Sequence, residues 1–262
     1  MTTKAVLLAT SAWLLSSVGA GAATITPIGD ALNSPLSSGG SSVTTMTITT
    51  TAAVNAGDMV VVAVGEAIGS IVPTVTDSLG QSYSCTAKFN INANGASGAF
   101  CYRPNSGAMA SGSSITLTVT TANAALGLAA ADVTGVNSLD VLGTSQVGTS
   151  ATAAAISPAP SITPGTSSAE PLLALYLASS SNTASLTEDA TDGWTTIDSP
   201  GSANANLRFF FSGQVVSSTS PVTWAPKVSV SGRSYGAQIV AFRNVTSSGG
   251  CRHTLTMTGI GC

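Results

Sequence analysis

SITLTVTTA, residues 114–122, sets Ile115, Leu117 and Val119 on one side of an extended chain and Thr116, Thr118 and Thr120 on the other. Successive side chains of a strand leave opposite faces, so strict alternation over this length marks a half-buried β-strand. The same reading spreads outward. VTTMTITTT (43–51) is β-branched and alternating, and MVVVAVG (59–65) is a short continuous apolar run, as in a strand covered on both faces. ALGLAAADVTGV (125–136), PLLALYLAS (171–179), LRFFFSGQVV (207–216), PVTWAPKVSV (221–230) and YGAQIVAFRNV (235–245) follow. Gly, Ser, Asn and Pro break these runs where turns are needed. ALGLAAADV and PLLALYLAS have enough Ala and Leu for short helices. Their brevity and their neighbours make them strands.

The order of elements repeats. In residues 41–137, AGDMVVVAVGEA leads to TVTDSLGQSY, SGAFCYRPN, SITLTVTTA and ALGLAAADVTGV. In residues 160–246, SAEPLLALYLAS leads to TEDATDGWTTI, NLRFFFSGQVV, SPVTWAPKVSV and YGAQIVAFRNV. Short strands with turn signals at this spacing give an all-β antiparallel sandwich, jelly-roll-like, with internally duplicated halves; two tandem immunoglobulin-like sandwiches are the alternative. The expected organisation is a leader (1–22), a first β half (23–137), a Ser/Thr/Ala/Pro-rich connecting strand and loop (138–165), a second β half (166–246) and a C-terminal tail (247–262).

Composition narrows the class further. Of 262 residues only 7% are charged, with 8 basic, 11 acidic and a net charge of −3, while 44% are hydrophobic. That leaves ample material for a core and a nearly neutral exterior of Ser, Thr, Gly, Asn and Ala. No Lys- or Arg-rich stretch exists to neutralise phosphates, so nucleic acid is not an expected partner. A weakly charged exterior resists self-association poorly. Self-association, or a surface or glycan partner, is therefore expected.

MTTKAVLLATSAWLLSSVGAGAA (1–23) has a basic start at Lys4, an apolar run and a small-x-small site at Ala20-Gly21-Ala22. It reads as a signal peptide cleaved after Ala22 or Ala20, too short for a comfortable membrane span. Cys85, Cys101, Cys251 and Cys262 make an even set, as expected of two disulfides in an exported chain. Of three pairings, the local ones are favoured: Cys85–Cys101 stapling a hairpin and Cys251–Cys262 closing the tail. Zinc is disfavoured by the spacing and by the single histidine, His253.

Three motifs carry a resemblance: Gly57-Asp58-Met59-Val60-Val61, Val75-Thr76-Asp77-Ser78-Leu79-Gly80-Gln81-Ser82-Tyr83, and Asp132-Val133-Thr134-Gly135-Val136. Together they resemble uncharacterised bacterial and phage-associated secreted β-sandwich surface proteins, over most of residues 41–245. The resemblance implies a sandwich and an extracellular or cell-surface setting, and no activity.

Candidate sites are few. Glu188, Asp189 and Asp192 cluster in TEDATDGW (187–194); hard cations take such loop oxygens, so calcium is the one cofactor they suggest. The rival reading is an Asp-Gly turn bonded to its own backbone, as at Asp77 in the first half. Trp194, Trp224 and Tyr83 would form a stacking platform for sugar rings if exposed, and core if buried. Phe209-Phe210-Phe211 demands either two covered sheet faces or one exposed aromatic. Asn244-Val245-Thr246 is a glycosylation sequon. No nucleophile elbow, P-loop, dinucleotide fingerprint, EF-hand or metalloprotease helix motif occurs. The expectation is a non-enzymatic structural or adhesive protein of the cell surface, extracellular matrix or a particle coat, without catalytic residues. A carbohydrate-binding module is the alternative, and a secreted hydrolase a lesser one.

Overall fold

The computed structural model describes residues 23–33, 43–67, 73–91, 96–123, 125–149, 154–166, 169–179, 186–188, 192–198, 207–229 and 232–244. Cys251, Cys262 and His253 lie outside them, as does the expected leader. Among the described residues every regular element is a strand, and both Ala/Leu-rich segments are extended.

The first half contributes β1 (Ile25–Asn33), β2 (Val43–Thr49), β3 (Met59–Glu66), β4 (Thr74–Asp77), β5 (Ser84–Cys85), β6 (Phe89–Asn90), β7 (Ser97–Arg103), β8 (Ser114–Asn123) and β9 (Leu126–Val133). The second contributes β10 (Val136–Thr149), β11 (Ala154–Ala155), β12 (Ser161–Ile162), β13 (Glu170–Ser179), β14 (Leu186–Thr187), β15 (Thr195–Asp198), β16 (Leu207–Val216), β17 (Val222–Thr223), β18 (Lys227–Val228) and β19 (Ser234–Asn244). The first half builds a broad sheet, β1-β9-β3-β7-β5 with β6 also on β7, and a smaller sheet, β2-β8-β4. The second builds a broad sheet, β10-β19-β13-β16-β15, and two small covers, β11-β18-β14 and β12-β17.

All these pairings are antiparallel, and among the described residues each joins strands of the same half. The broad sheets share a strand order. Each begins with its half's first strand, continues with its last, and then takes the long apolar strand and the aromatic-bearing strand. Much of segment 138–165 is itself strand, and β10 forms the outer edge of the second broad sheet.

The layers run small sheet, broad sheet, broad sheet, covers, with a core in each gap. The alternating pattern of SITLTVTTA faces the first gap, where Ile115, Leu117 and Val119 meet Val60, Val62, Val64, Leu128 and Ala130. The other side of β3 and β9 (Met59, Val61, Ala63, Ala129, Ala131) enters the central gap and meets Leu173, Leu175, Leu177, Phe209, Phe211 and Phe242 of the second half. The third gap holds Tyr176, Phe210, Tyr235, Ile239, Trp194 and Trp224. Continuous apolar runs therefore occur where both faces are covered, and this resolves the triple phenylalanine: Phe209 and Phe211 face the central gap, Phe210 the outer one. Each half is its own sandwich, as tandem domains would be, yet the broad sheets are buried face to face. Burying one such side chain is worth about 1.5–3 kcal/mol, so the central core binds the halves strongly.

Glycines shape that central contact. Gly65 and Gly98 are partners across β3 and β7, and a Cβ on either would strike Leu177 at 2.8 Å and 2.6 Å respectively. A Cβ on Gly236 would meet Phe89 at 2.6 Å, and one on Gly213 would meet Ile25 at 2.9 Å. Each half thus offers bare backbone to a large side chain of the other. The chain passes from one broad sheet to the next at Thr134-Gly135, where Gly135 takes φ +73°, a conformation costly for other residues. Thr134 is tied back to Thr24, accepting its N–H at 3.2 Å on the hydroxyl and donating its own N–H to the Thr24 carbonyl at 3.1 Å. Cys85 and Cys101 lie opposite one another on β5 and β7 and form the expected disulfide.

Candidate functional site

The aromatic residues singled out in the sequence are interior. Trp224 is completely buried and Trp194 nearly so, their rings 5.9 Å apart and tilted by 47°. Tyr83 is buried under the first small sheet. None of the three presents a face for a sugar ring. The platform alternative is corrected to core: two covers close over Trp194 and Trp224 on the outer face of the second broad sheet, and Tyr83 lies in the core between the two sheets of the first half.

Glu188 explains where the acidic cluster points. Its carboxylate accepts the Trp224 indole N–H at 2.9 Å and a hydroxyl hydrogen bond from Ser212 on β16. Burial raises its pKa, with the charge of Asp192 adding to the rise, while the Ser212 and Trp224 bonds pull the other way. Glu188 thus turns inward and pins a cover to the broad sheet. Asp192 is exposed in the Asp192-Gly193 turn, where Gly193 has φ +74°. Asp189 lies outside the described residues. Among the described residues no group of three Asp, Glu, His or Cys side chains is placed to hold a metal.

Asp77 is the hub of the first-half turn. It accepts the N–H groups of Leu79 (2.9 Å) and Gln81 (3.0 Å), the Gln81 side-chain amide (3.2 Å) and the Tyr83 hydroxyl (3.2 Å). Gln81 passes the network on, accepting Arg103 Nε and the Gly107 N–H, both at 3.2 Å. Burial, then the neighbouring Asp77, pushes the Tyr83 phenol upward, so it stays a hydrogen-bond donor. Of the three motifs that carried the resemblance, Val75–Tyr83 is thus turn-building, while Met59, Val60, Val61 and Val133 of the other two are core.

Three acidic centres were not among the candidate sites, although Asp132 belongs to one of the motifs quoted above. At the edge of the second broad sheet, Asp140 accepts Arg243 Nε at 2.8 Å and the Gly165 N–H at 2.8 Å, and also contacts Arg243 Nη2. Its neighbour Glu170, fully buried, accepts the Thr166 N–H (3.1 Å) and hydroxyl (3.0 Å). Burial pulls Asp140 upward, but the bonds from Arg243, Glu170 and Gly165 outweigh it and hold the group below its ordinary range. Glu170 is raised, by burial first and Asp140 second. At the base of the first sandwich, Asp132 is pushed up to about 7, by burial and then by the charge of Asp58. At the far end of β3, Glu66 is buried and accepts a hydrogen bond from Ser97, its cross-strand partner. The available signal was a carboxylate inside or beside an apolar strand run: Glu66 after MVVVAVG, Asp132 in AAADV, Glu170 before PLLALYLAS. Such placement marks a carboxyl group whose burial must be compensated.

Asn244 of the sequon is also interior, donating its side-chain amide to the Ala169 carbonyl at 3.3 Å. Its nitrogen is engaged and enclosed, so a glycan cannot be attached in the folded protein. The remaining sequon residues lie outside the described set.

Glu66 and Ser97, bonded to each other, line a small pocket together with Lys88. Of the inward-facing carboxylates, Glu188 ties a cover to the second broad sheet, while Asp77, Glu66, Asp140 and Glu170 bond strands, turns and loops within their own half. No family model, curated protein or solved structure matches the chain.

Proposed function

We propose that the protein is a non-enzymatic, exported structural or adhesive module of a cell surface, extracellular matrix or particle coat. Its mechanism is rigid presentation of neutral polar faces that pack laterally. The observation that carries this reading is the stacked pair of sandwiches: four layers locked by three apolar cores, with Glu66, Glu170 and Glu188 all engaged in bonds within the protein. The polar chemistry is spent on fixing shape. The signal-like leader and the Cys85–Cys101 disulfide support export.

The test is association. Sedimentation velocity and electron microscopy over a rising concentration series are expected to reveal reversible oligomers or ordered arrays. Salt should weaken them little, since few charges are involved. A strict monomer at the highest concentration, combined with no adsorption to cell envelopes, would overturn the proposal.

A further inference from the structure

The outer face of the first small sheet is a two-dimensional grid of threonine. Its register places Thr45, Thr118 and Thr74 in one row across β2, β8 and β4, and Thr47, Thr116 and Thr76 in the next. Thr49 and Ser114 begin a third row, and Thr120 extends β8 beyond the first. The intervening residues Met46, Ile48, Val75, Ile115, Leu117 and Val119 are all buried, so the sheet cannot slide or roll to hide the hydroxyls. Thr47 and Thr116 are joined hydroxyl to hydroxyl at 2.9 Å. The three strands carry no Lys, Arg, Glu or His, and their single acid, Asp77, is turned inward to its turn.

We infer that this face binds ice. Neighbouring strands lie about 4.8 Å apart, and alternate residues of a strand about 6.8 Å apart. Facing residues of antiparallel strands are about 4.5 Å or about 5.5 Å apart, so the grid is a near-rectangular mesh of the same scale as the water oxygens on a prism face of hexagonal ice, with the Thr47 and Thr116 hydroxyls drawn together into one bonded pair. Threonine supplies what such a lattice accepts: a hydroxyl to take a lattice position and a methyl to sit between positions. Its β-branched side chain is stiff at χ1, so little freedom is lost on docking. Sheet twist of roughly 20–25° per strand lifts the corners of a three-strand, two-row grid by only about 1 Å.

Other occupants fit less well. The grid has no aromatic ring for a sugar, no charge for a mineral lattice, and none of the Trp, Tyr or Arg anchors that dominate protein interfaces. Its area, about 300 Å² from the strand spacings, falls well short of the roughly 800 Å² each partner contributes to a stable protein complex. A patch of this size implies adsorption and inhibition of recrystallisation, with only slight depression of the freezing point. The inference does not depend on lateral packing and is tested at dilutions where the protein is monomeric.

The purified protein, mixed with a differently labelled globular protein of similar size, is partitioned into a slowly growing ice front. Ice grain size is followed in parallel during annealing. Enrichment of the protein in the ice several-fold over the reference, with small grains retained, is expected. Thr118→Tyr on the central strand should abolish both effects without shifting Tm. Ser218→Tyr, an exposed change in the other half, should alter neither. Should Thr118→Tyr fold poorly, Thr74→Lys on the outer strand provides the same test. Exclusion of the wild type from ice, or full enrichment of a folded Thr118→Tyr or Thr74→Lys variant, would overturn the inference.

Discussion

At the residue scale the chain is organised by acids that face inward. Asp77 holds four donors in one turn. Replacing it by alanine strands buried donors, and Asp77→Ala is expected to cost about 3 kcal/mol in urea denaturation. Tyr83→Phe should cost about 1 kcal/mol, with the two losses not additive because the groups bond each other. Asp132 makes a prediction in pH. Its folded-state pKa, about 7, lies above the ordinary carboxylate value, so the folded chain keeps a proton that the unfolded chain has released. Stability from this group is fully present below about pH 4 and is lost as pH rises through 7. Asp132→Asn should match the wild type near pH 4, melt higher than it at pH 8, and show a flatter Tm profile between. These roles were legible in part. Asp132 was quoted only as part of a motif; its place in a continuous apolar run was the available signal, and its closeness to Asp58, just before β3, is a product of the fold.

Elements show how much a pattern can carry. Period-two alternation located β2 and β8 and continuous apolar runs located β3, β9, β13, β16 and β19, whereas β1 carried no such signal and β10 lay in the segment read as a connector; the local cysteine spacing matched the Cys85–Cys101 pair. Replacing both cysteines by alanine reopens that loop and should lower stability by about 3 kcal/mol, with the same far-UV spectrum. What alternation leaves out is which face meets which. Trp194 and Trp224 sit in short turn-rich segments where no periodicity shows a buried side, so only the general tendency of large aromatics to be buried favoured core until the covers were placed. The glycines of β3 and β7 are the counterpart. A glycine inside a strand announces close approach by something, and only the fold shows Leu177. Gly65→Ala and Gly98→Ala should each lose about 1–3 kcal/mol through overpacking, most clearly as a lower denaturation midpoint. Surface changes on β8, such as Thr120→Ser, should leave it in place.

For the whole molecule two runs of strand signals were readable, but neither their stacking nor the place of β10, which joins the second broad sheet from the segment read as a connector, was. Element order and turn spacing define two sets of strands, but a continuous apolar run states only that both faces are covered. It cannot say that the second cover is the other half. Two linked acids set the behaviour of the assembled molecule with pH. Asp140, held low, contributes stability that is lost as pH falls through its depressed value. Glu170, held high, contributes stability that is lost as pH rises above the ordinary carboxylate range. With Asp132, these shifts place the stability maximum in mildly acidic solution, and Tm is expected to decline from about pH 5 to pH 8. A maximum at or above pH 8 would contradict the buried pair.

The interlocked glycines and leucines also bear on how the chain is made. The ribosome delivers the first sandwich complete, with one wall of valine, alanine and phenylalanine still wet, before its mate has been translated. Until β13 and β16 arrive, that wall is a sticky surface open to any neighbour. A gene fragment ending near residue 137 should therefore yield inclusion bodies, and slow codons between the halves should lower the yield of the whole protein.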